Sequence, residues 1–575
     1  MGLRLPQAGV PLYIGWIMKK FINDPAEVVE EMLQGLVMLH TGLARLPGQK
    51  VLIRADAAEA RERQTAVISG GGSGHEPAHG GYIGAGMLSA AVAGEVFTSP
   101  STDAVFSAIQ AVAGKPGALL VVKNYTGDRL NFGLAAEMAR AEGIPVEMII
   151  VDDDVALKGA PQATGPRGLA GTVFIHKIVG AAAAEGKSLT ELAEIGRAAV
   201  GSLSTMGVSF SAGTSPAVGK PSFELGEREM ELGLGIHGEP GVKRVPLQPA
   251  HELTATLLGT ILEHSQFGSQ GRIAVMINNL GATTEMELAI VAREALTFLA
   301  TRGLVVERAY AGTFLSSLDM AGISISLLGL TDERLRWLDA ATTAPAWSKA
   351  IGRPGSKPTV IRAIEVRATP SAAHGAQTKA GKQTQRAIEA ACQALIEAEG
   401  ELTELDRVAG DGDLGASMAR AAKAVQAELS TYPFYDVSAT LKALGHTLRR
   451  ELGGSSGPLY GVLFLRCGNA LAGDQTGWAD ALEQGCQAIS ELGGAKPGDR
   501  TMLDALDPFV KTLQQHGTLT AAADAAEGGA AATADMRPRL GRSSYLGDRV
   551  LGHPDPGARA VVIWLRAACD LLGAD

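Results

Sequence analysis

The sequence predicts a multidomain chain: an N-terminal part of two α/β subdomains and a C-terminal part built from helices alone. Three observations carry this. Short apolar strands alternate with amphipathic helices from about residue 24 to residue 337, the order that produces α/β architecture. Ala368 to Gly381 (ATPSAAHGAQTKAG) is rich in Pro, Ser, Ala and Gly, lacks apolar periodicity and reads as an interdomain linker. From Lys382 onward apolar residues recur at helical spacing and strand signals are scarce. A length of 575 residues sets a prior of about three or four domains.

In chain order, Val28, Val29, Met32, Leu33, Leu36 and Val37 repeat at helical spacing. Thr65 to Ser69 (TAVIS) reads as a buried strand running into a glycine-rich loop, Gly70 to Met87, that carries His75 and His79. A strand followed by a glycine-rich turn is where α/β proteins place ligands, yet this run fits neither phosphate-loop pattern. Ser99, Ser101 and Thr102 are N-cap candidates for a helix through Ala111. Ala118 to Lys123 is a strand ending in Asn124-Tyr125-Thr126-Gly127-Asp128, which makes Lys123 and Asp128 candidate substrate contacts. Asp128 suits a general base, and equally an N-cap of the helix that follows. Strand Val146 to Val151 ends in Asp152-Asp153-Asp154, read as a solvated strand end in preference to a metal site. Gly165 to Gly171 precedes another helix, and the alternation to this point supports a doubly wound sheet.

A second α/β unit begins near Ser188. Its focal stretch is Glu231 to Val242 (ELGLGIHGEPGV), where Gly235, Gly238, Pro240 and Gly241 shape a loop presenting one imidazole, His237. Ile273 to Asn278 is a strand ending in Asn278-Asn279-Leu280-Gly281, a helix covers Glu285 to Leu299, and Ile323 to Leu328 is the last clear strand. In the helical part, Asp406, Asp411 and Asp413 fall within eight residues, separated by glycines. Such carboxylates converge readily and suit a hard cation such as Mg²⁺; without one they repel. Gly453 to Gly457 (GGSSG) opens an apolar helix whose free N–H groups suit a phosphate. Further polar turns are Gly498 to Met502, Gly541 to Tyr545 and Gly552 to Ala558.

Composition narrows the function classes. A formal net charge of -10 argues against a nucleic-acid partner, while backbone N–H groups and a metal ion still allow phosphate binding. No stretch reaches the apolar length of a membrane span. The four cysteines, Cys392, Cys467, Cys486 and Cys569, are too scattered for a metal knuckle and read as reduced core thiols of a cytosolic protein. Residues 1–17 have no long apolar run and no cleavage site; Met18-Lys19-Lys20 looks the more natural start, which makes the segment an N-terminal extension.

Taken jointly and in order, GGGSGHEPAH, VKNYTGDRLNF, ELGLGIHGEPG, MINNLG, AGDGD, GGSSG, GDRTMLDAL and GRSSYLG…HPDPGA resemble the ATP-dependent dihydroxyacetone kinases of the single-chain kind. The resemblance implies a dihydroxyacetone-binding domain over 18–366, in two halves dividing near 190, a linker over 367–381, and an ATP-binding barrel of antiparallel helices over 382–575. It implies that His237 forms a covalent hemiaminal with the substrate carbonyl, that Gly72, Ser73, Gly74, His75 and Lys123 hold the substrate, and that Asp128 takes the hydroxyl proton, with His75 sharing proton transfer. It further implies that Asp406, Asp411 and Asp413 hold two Mg²⁺ ions, and that Leu414, Gly415, Ala416, Ser417, Ser455, Ser456, Gly498, Asp555, Pro556 and Gly557 line the ATP. Many members place Cys or Thr directly after the aspartates and a second Thr or Ser two residues on; here Ala416 offers only its N–H, and Ser417 keeps one hydroxyl. The implied product is dihydroxyacetone phosphate. Erythrulose is an alternative substrate, splitting of FAD to a cyclic flavin phosphate an alternative activity of the nucleotide domain, and a cytoplasmic homodimer the expected form.

Overall fold

The computed structural model describes residues 20–158, 165–239, 241–265, 267, 271–350, 352–359, 375–472 and 477–573. The N-terminal extension, Pro240 and most of the linker lie outside them. The chain divides into two compact units between Ala363 and Ile364.

The first unit holds two six-stranded sheets. The first has the order β1 (Leu43–Arg45), β2 (Val51–Arg54), β4 (Ala90–Val96), β3 (Ala66–Ser73), β5 (Ala118–Lys123), β6 (Val146–Val151). Strands β3 to β6 are parallel, and β1 and β2 add an antiparallel edge. Helices Thr102–Val112 and Thr126–Ala141 close one face over Ile68, Leu120 and Val122. Helices Val28–Leu39, Thr172–Ala184 and Leu189–Val200 close the other over Val67, Leu119 and Val121. Ser101 caps its helix by accepting the Ala104 N–H, one of the three expected cap positions.

The second sheet runs β11 (Val305–Gly312), β10 (Arg272–Asn279), β12 (Gly322–Gly329), β7 (Leu203–Ser209), β8 (Glu229–Leu232), β9 (Lys243–Pro246). Only β10 and β11 are parallel; the other pairs are antiparallel. This sheet is therefore mixed, because hairpin β8–β9 and the β7–β12 pairing need no crossover helix. Helices Ala250–Glu263 and Glu285–Thr301 cover one face. The other face contributes Ala274, Met276 and Leu328 to the core that also buries helix Thr172–Ala184.

Two expectations are corrected. The glycine-rich loop begins later than Gly70: β3 continues to Ser73, because Gly70, Gly71 and Gly72 pair in register with Val92, Ala93 and Gly94 of β4. The acidic run is a solvated strand end only at Asp152, which is exposed. Asp153 is 1% and Asp154 0% exposed. Asp153 accepts the Leu169 N–H (2.7 Å), the Gly171 N–H (3.0 Å) and the Thr205 hydroxyl (2.5 Å), and burial raises its carboxyl to about 6. Thr205 lies on β7, so this carboxylate ties the end of the first sheet to the second.

The second unit has nine α-helices and no strand among its described residues. Helices Leu414–Glu428, Val437–Glu451, Ser456–Ala470, Trp478–Gly493, Leu503–Gln514, Leu519–Ala532 and Pro556–Gly573 each pack on the next, and Lys379–Glu397 closes the ring between the last and the first. The barrel encloses an apolar cavity of about 520 Å³ lined by Ile388, Leu444, Phe464, Leu513 and Trp564 among others. Cys392, Cys467 and Cys569 are buried, Cys486 half-buried, and all four are unpaired thiols.

Two outcomes follow from the packing of helix Thr172–Ala184. A Cβ on Gly180 would collide with the Met87 backbone, so Gly180→Ala lowers stability in urea unfolding by about 1–3 kcal/mol; Gly133→Ala, in an open helical position, raises it by about 0.5–1 kcal/mol. Lys177 is fully buried, donates to the Trp337 carbonyl (2.6 Å) and is lowered by burial to about 8. Its unfolded value is about 10.4. The unfolded chain then binds the extra proton between these values, so stability rises from about pH 8 to pH 10. Lys177→Met flattens that rise.

Candidate functional site

In the first unit the predicted residues meet where the carboxyl end of the first sheet faces the second. Lys123 ends β5 and is fully buried. Asp128 lies in the first turn of helix Thr126–Ala141, 3% exposed. It is not the N-cap, a position Tyr125 fills without a side-chain bond, so its carboxylate is left for the crevice. A side chain on Gly71 would approach Lys123 Nζ to 3.2 Å and Asp128 Oδ2 to 3.5 Å, so the bare strand leaves room for both groups. Neither Lys123 Nζ nor Asp128 Oδ1 has a hydrogen-bond partner. Burial lowers the Lys123 ammonium against the pull of Asp128 and Glu239.

The segment after β3 is fastened to the second sheet. Gly74 O accepts the Leu318 N–H (2.8 Å) and His75 O the Ser316 N–H (3.2 Å). His75 Nδ1 lies 2.9 Å from Ser316 O, which makes Nδ1 the donor and leaves Nε2 with its lone pair, buried and unpartnered. Burial first, then the charge of Lys123, holds this ring neutral, well below the usual imidazole range. The loop supplying Ser316 is itself fixed by Asn278, which donates to Leu315 O (2.8 Å) and accepts from Phe314 N (2.8 Å) and Leu315 N (2.9 Å). Of the glycine-rich residues, Ser73 donates its hydroxyl to Gly94 O (2.8 Å) and Gly74 N–H meets the Glu76 carboxylate (3.1 Å). Gly72 lies against the Phe97–Thr98 backbone.

His237 sits in the connection between β8 and β9, its side chain 18% exposed. Glu239 accepts both the His237 backbone N–H (2.9 Å) and Nδ1–H (3.0 Å). Burial alone would raise the Glu239 carboxyl, but the hydrogen bonds and charge of His237 outweigh it and hold it at about 2. In the neutral ring the proton therefore stays on Nδ1 and the lone pair on Nε2. Three rings enclose the imidazole: Tyr125 at 4.6 Å, His75 at 4.8 Å and Phe97 at 5.3 Å between centroids. The Tyr125 hydroxyl is buried and unpartnered. Glu239, Tyr125 and Phe97 were not singled out from sequence; the acid two residues beyond His237 and the tyrosine within KNYTGD were the available signals.

In the second unit Asp406, Asp411 and Asp413 converge, with one carboxylate oxygen of each lying within 4.8 Å of the others. Asp406 Oδ2 accepts the N–H groups of Asp413 (2.9 Å) and Leu414 (3.1 Å). Only oxygen donors gather here, two of the three residues exposed, which fits Mg²⁺ with water and phosphate completing the shell. Leu414, Gly415, Ala416 and Ser417 form the first turn of helix Leu414–Glu428, and Ser455 and Ser456 begin helix Ser456–Ala470 with no side-chain cap bond. Successive barrel helices are antiparallel, so these N-termini share one rim with those of Leu503–Gln514 and Pro556–Gly573. The Gly498 N–H is taken by Asp504. Buried Arg500 binds the carbonyls of Thr533 (3.1 Å), Val550 (3.2 Å) and His553 (2.8 Å), gathering that side of the rim. Asp555 accepts the Ala558 N–H (2.9 Å), Pro556 begins the last helix and Gly557 lies beside Asp555 Oδ2. Burial raises the Asp555 carboxyl to about 6.

Residues 34–346 match the Dak1 domain and residues 408–570 the DAK2 domain. The chain is 42% identical to a putative 3,4-dihydroxy-2-butanone kinase of Solanum lycopersicum, over 96% of this chain and 97% of that one. It is also 42% identical to the triokinase/FMN cyclase of Homo sapiens, over 96% and 99%. The crystal structure of the dihydroxyacetone kinase from C. freundii in complex with AMP-PNP and Mg²⁺ superposes with a TM-score of 0.64 at 35% identity, covering 96% and 99% of the two chains. An imidazole loop in an α/β unit, three aspartates at the rim of a helical barrel, and full-length likeness to proteins with the same two parts lead to one assignment: the chain belongs to the dihydroxyacetone kinase family, with its Dak1 and DAK2 domains fused in a single polypeptide.

Proposed function

We propose that this protein transfers the terminal phosphoryl group of ATP to a hydroxyl of a short ketose, dihydroxyacetone first among them. The observation that carries this is His237: Nδ1 is engaged by Glu239 and Nε2 is left with its lone pair, while Lys123 Nζ, Asp128 Oδ1 and His75 Nε2 of the same crevice are buried polar atoms without partners. Nε2 adds to the substrate carbonyl carbon, the π electrons move to the carbonyl oxygen, that oxygen takes a proton from water, and the Nδ1 proton leaves through Glu239, so the adduct is neutral. The resulting hemiaminal keeps every substrate atom. It fixes a molecule too small to be oriented by surface contact alone. The unpartnered atoms then serve the hydroxyls: Lys123 donates, Asp128 accepts the proton of the attacking hydroxyl, and neutral His75 accepts at Nε2.

Asp406, Asp411 and Asp413 would hold Mg²⁺, two ions by the family resemblance, which neutralises phosphate charge as the transferred group departs. The first turn 414–417, Ser455, Ser456, Gly498 and 555–557 would receive the nucleotide at the rim, where helix N-termini favour anions. A homodimer and a cytoplasmic location belong to the same reading; among the described residues no helix is long and apolar enough to cross a membrane, and the four thiols are unpaired. A D-erythrulose kinase is the nearest alternative in substrate. Cyclic flavin phosphate formation is the alternative in chemistry, supported by the double name of the human relative.

A coupled assay of ATP consumption with dihydroxyacetone, D-glyceraldehyde and both erythrulose enantiomers tests the reading. Ketose-stimulated turnover is expected with dihydroxyacetone, and His237→Ala is expected to lower it by about 10³-fold or more, while any flavin cyclase activity persists. No stimulation by any of the four would overturn the kinase assignment. Mg²⁺ with a non-hydrolysable ATP analogue at about 100 times its Kd should stabilise the protein by about 2.7 kcal/mol. Asp411→Asn or EDTA should abolish that shift in calorimetry.

A further inference from the structure

The acidic run 152–154 and the segment Gly165–Gly171 have no part in the chemistry above, yet they meet beneath the His237 loop. Arg167 is 7% exposed. Its Nε donates to Asp154 Oδ2 (2.8 Å), and its Nη2 lies 2.7 Å from the same oxygen and donates to Gly233 O (2.6 Å). Asp154 is itself held by the Ala156 N–H (3.0 Å). Gly233 opens the connection that carries His237 four residues later. The place a Cβ on Gly235 would take lies 2.8 Å from the third nitrogen, Nη1, and 2.1 Å from Glu239 Oε2. Guanidinium and carboxylate thus both border the space that a side chain on Gly235 would fill, and Glu239 in turn grips His237.

A carboxylate withdrawn from water keeps its charge when hydrogen bonds or a nearby counter-charge favour it, and a guanidinium carries positive charge at every accessible pH. Were Glu239 to take a proton, it could donate to Nδ1. The ring would then carry its own proton on Nε2, and the outward nitrogen would lose its lone pair. We infer that Arg167, fixed by Asp154, is a positioning residue for His237: it ties the first carbonyl of the His237 loop and sets its guanidinium on the Glu239 side of Gly235, which keeps Glu239 on Nδ1 and the lone pair on Nε2. The inference rests on the reading of His237 as the atom that adds to the substrate carbonyl.

A double-mutant cycle on the full-length protein tests it, using Arg167→Gln, Glu239→Gln and the pair. The readouts are ketose-stimulated ATP consumption, the tetrahedral carbon signal of carbonyl-¹³C dihydroxyacetone, and the His237 tautomer from ¹⁵N-histidine spectra. Arg167→Gln is expected to lower kcat/KM on the order of 10²-fold, to move ring protonation from Nδ1 toward Nε2, and to add little to the loss in Glu239→Gln. Arg167→Lys should restore part of the Nδ1–H population, since it keeps the charge but not the fork. Additive losses with an unchanged tautomer would overturn the inference and leave Arg167 a structural residue. Should Arg167→Gln fail to fold, Asp154→Asn, which loosens the guanidinium without removing it, is read by the same spectra: a mixed tautomer supports the inference, and an unchanged one overturns it. A wild-type protein that neither forms the adduct nor consumes ATP with any ketose would defeat the functional reading alone, because the tautomer comparison stands apart from turnover.

Discussion

The first unit depends on one buried carboxylate. Asp153 receives two backbone N–H groups, of Leu169 and Gly171, from the segment just before helix Thr172–Ala184, and the hydroxyl of Thr205 on the neighbouring sheet. The Thr205 hydroxyl also lies 2.7 Å from Ser326 Oγ on β12. Two sheets with different topologies are thereby tied at the point where the first parallel strands end. The candidate site needs this tie, since Lys123, Asp128 and His75 come from the first sheet and His237 with its supporting loops from the second. Burial works against the Asp153 charge, and the three donors are what offset that cost.

The same logic recurs at smaller scale around the imidazole. Ser317 donates to Ile236 O, Arg167 to Gly233 O and Glu239 accepts from His237. The connection between β8 and β9 is a loop in chain path, but its carbonyls and N–H groups are bound on several sides. A side chain that must present one particular nitrogen is better held by such bonds than by packing alone.

Much of this was legible in the sequence because it is local. Alternation of strand and helix marks the first sheet, and the polar ends of β5 and β10 mark the crevice by their position alone. The aspartate spacing in AGDGD predicts convergence, since glycines let the backbone fold. What the sequence concealed is long-range. Asp153 and Asp154 look like a solvated strand end until Arg167 and Thr205 arrive from elsewhere in the chain. The second sheet's antiparallel pairings could not be read because β8 and β9 are four residues each and β9 is largely exposed, with no alternation to detect. Gly70 to Gly72 read as a loop by composition, whereas pairing on β4 makes them strand. Glu239 was visible as an acid, but its grip on His237 depends on a turn that spacing does not specify.

The unpartnered interior atoms around His237 carry a consequence for selectivity. A lining built of apolar groups tells two sugars apart only by their bulk, and an added carbon changes affinity modestly. A lining in which an ammonium, a carboxylate and an imidazole nitrogen all wait for partners instead penalises a guest that arrives with a hydroxyl missing, on the order of 10⁴-fold. Under the proposed function, deoxy analogues should therefore be excluded more sharply than chain-lengthened ones, the accepted sugars being set by where their oxygens fall more than by how long they are.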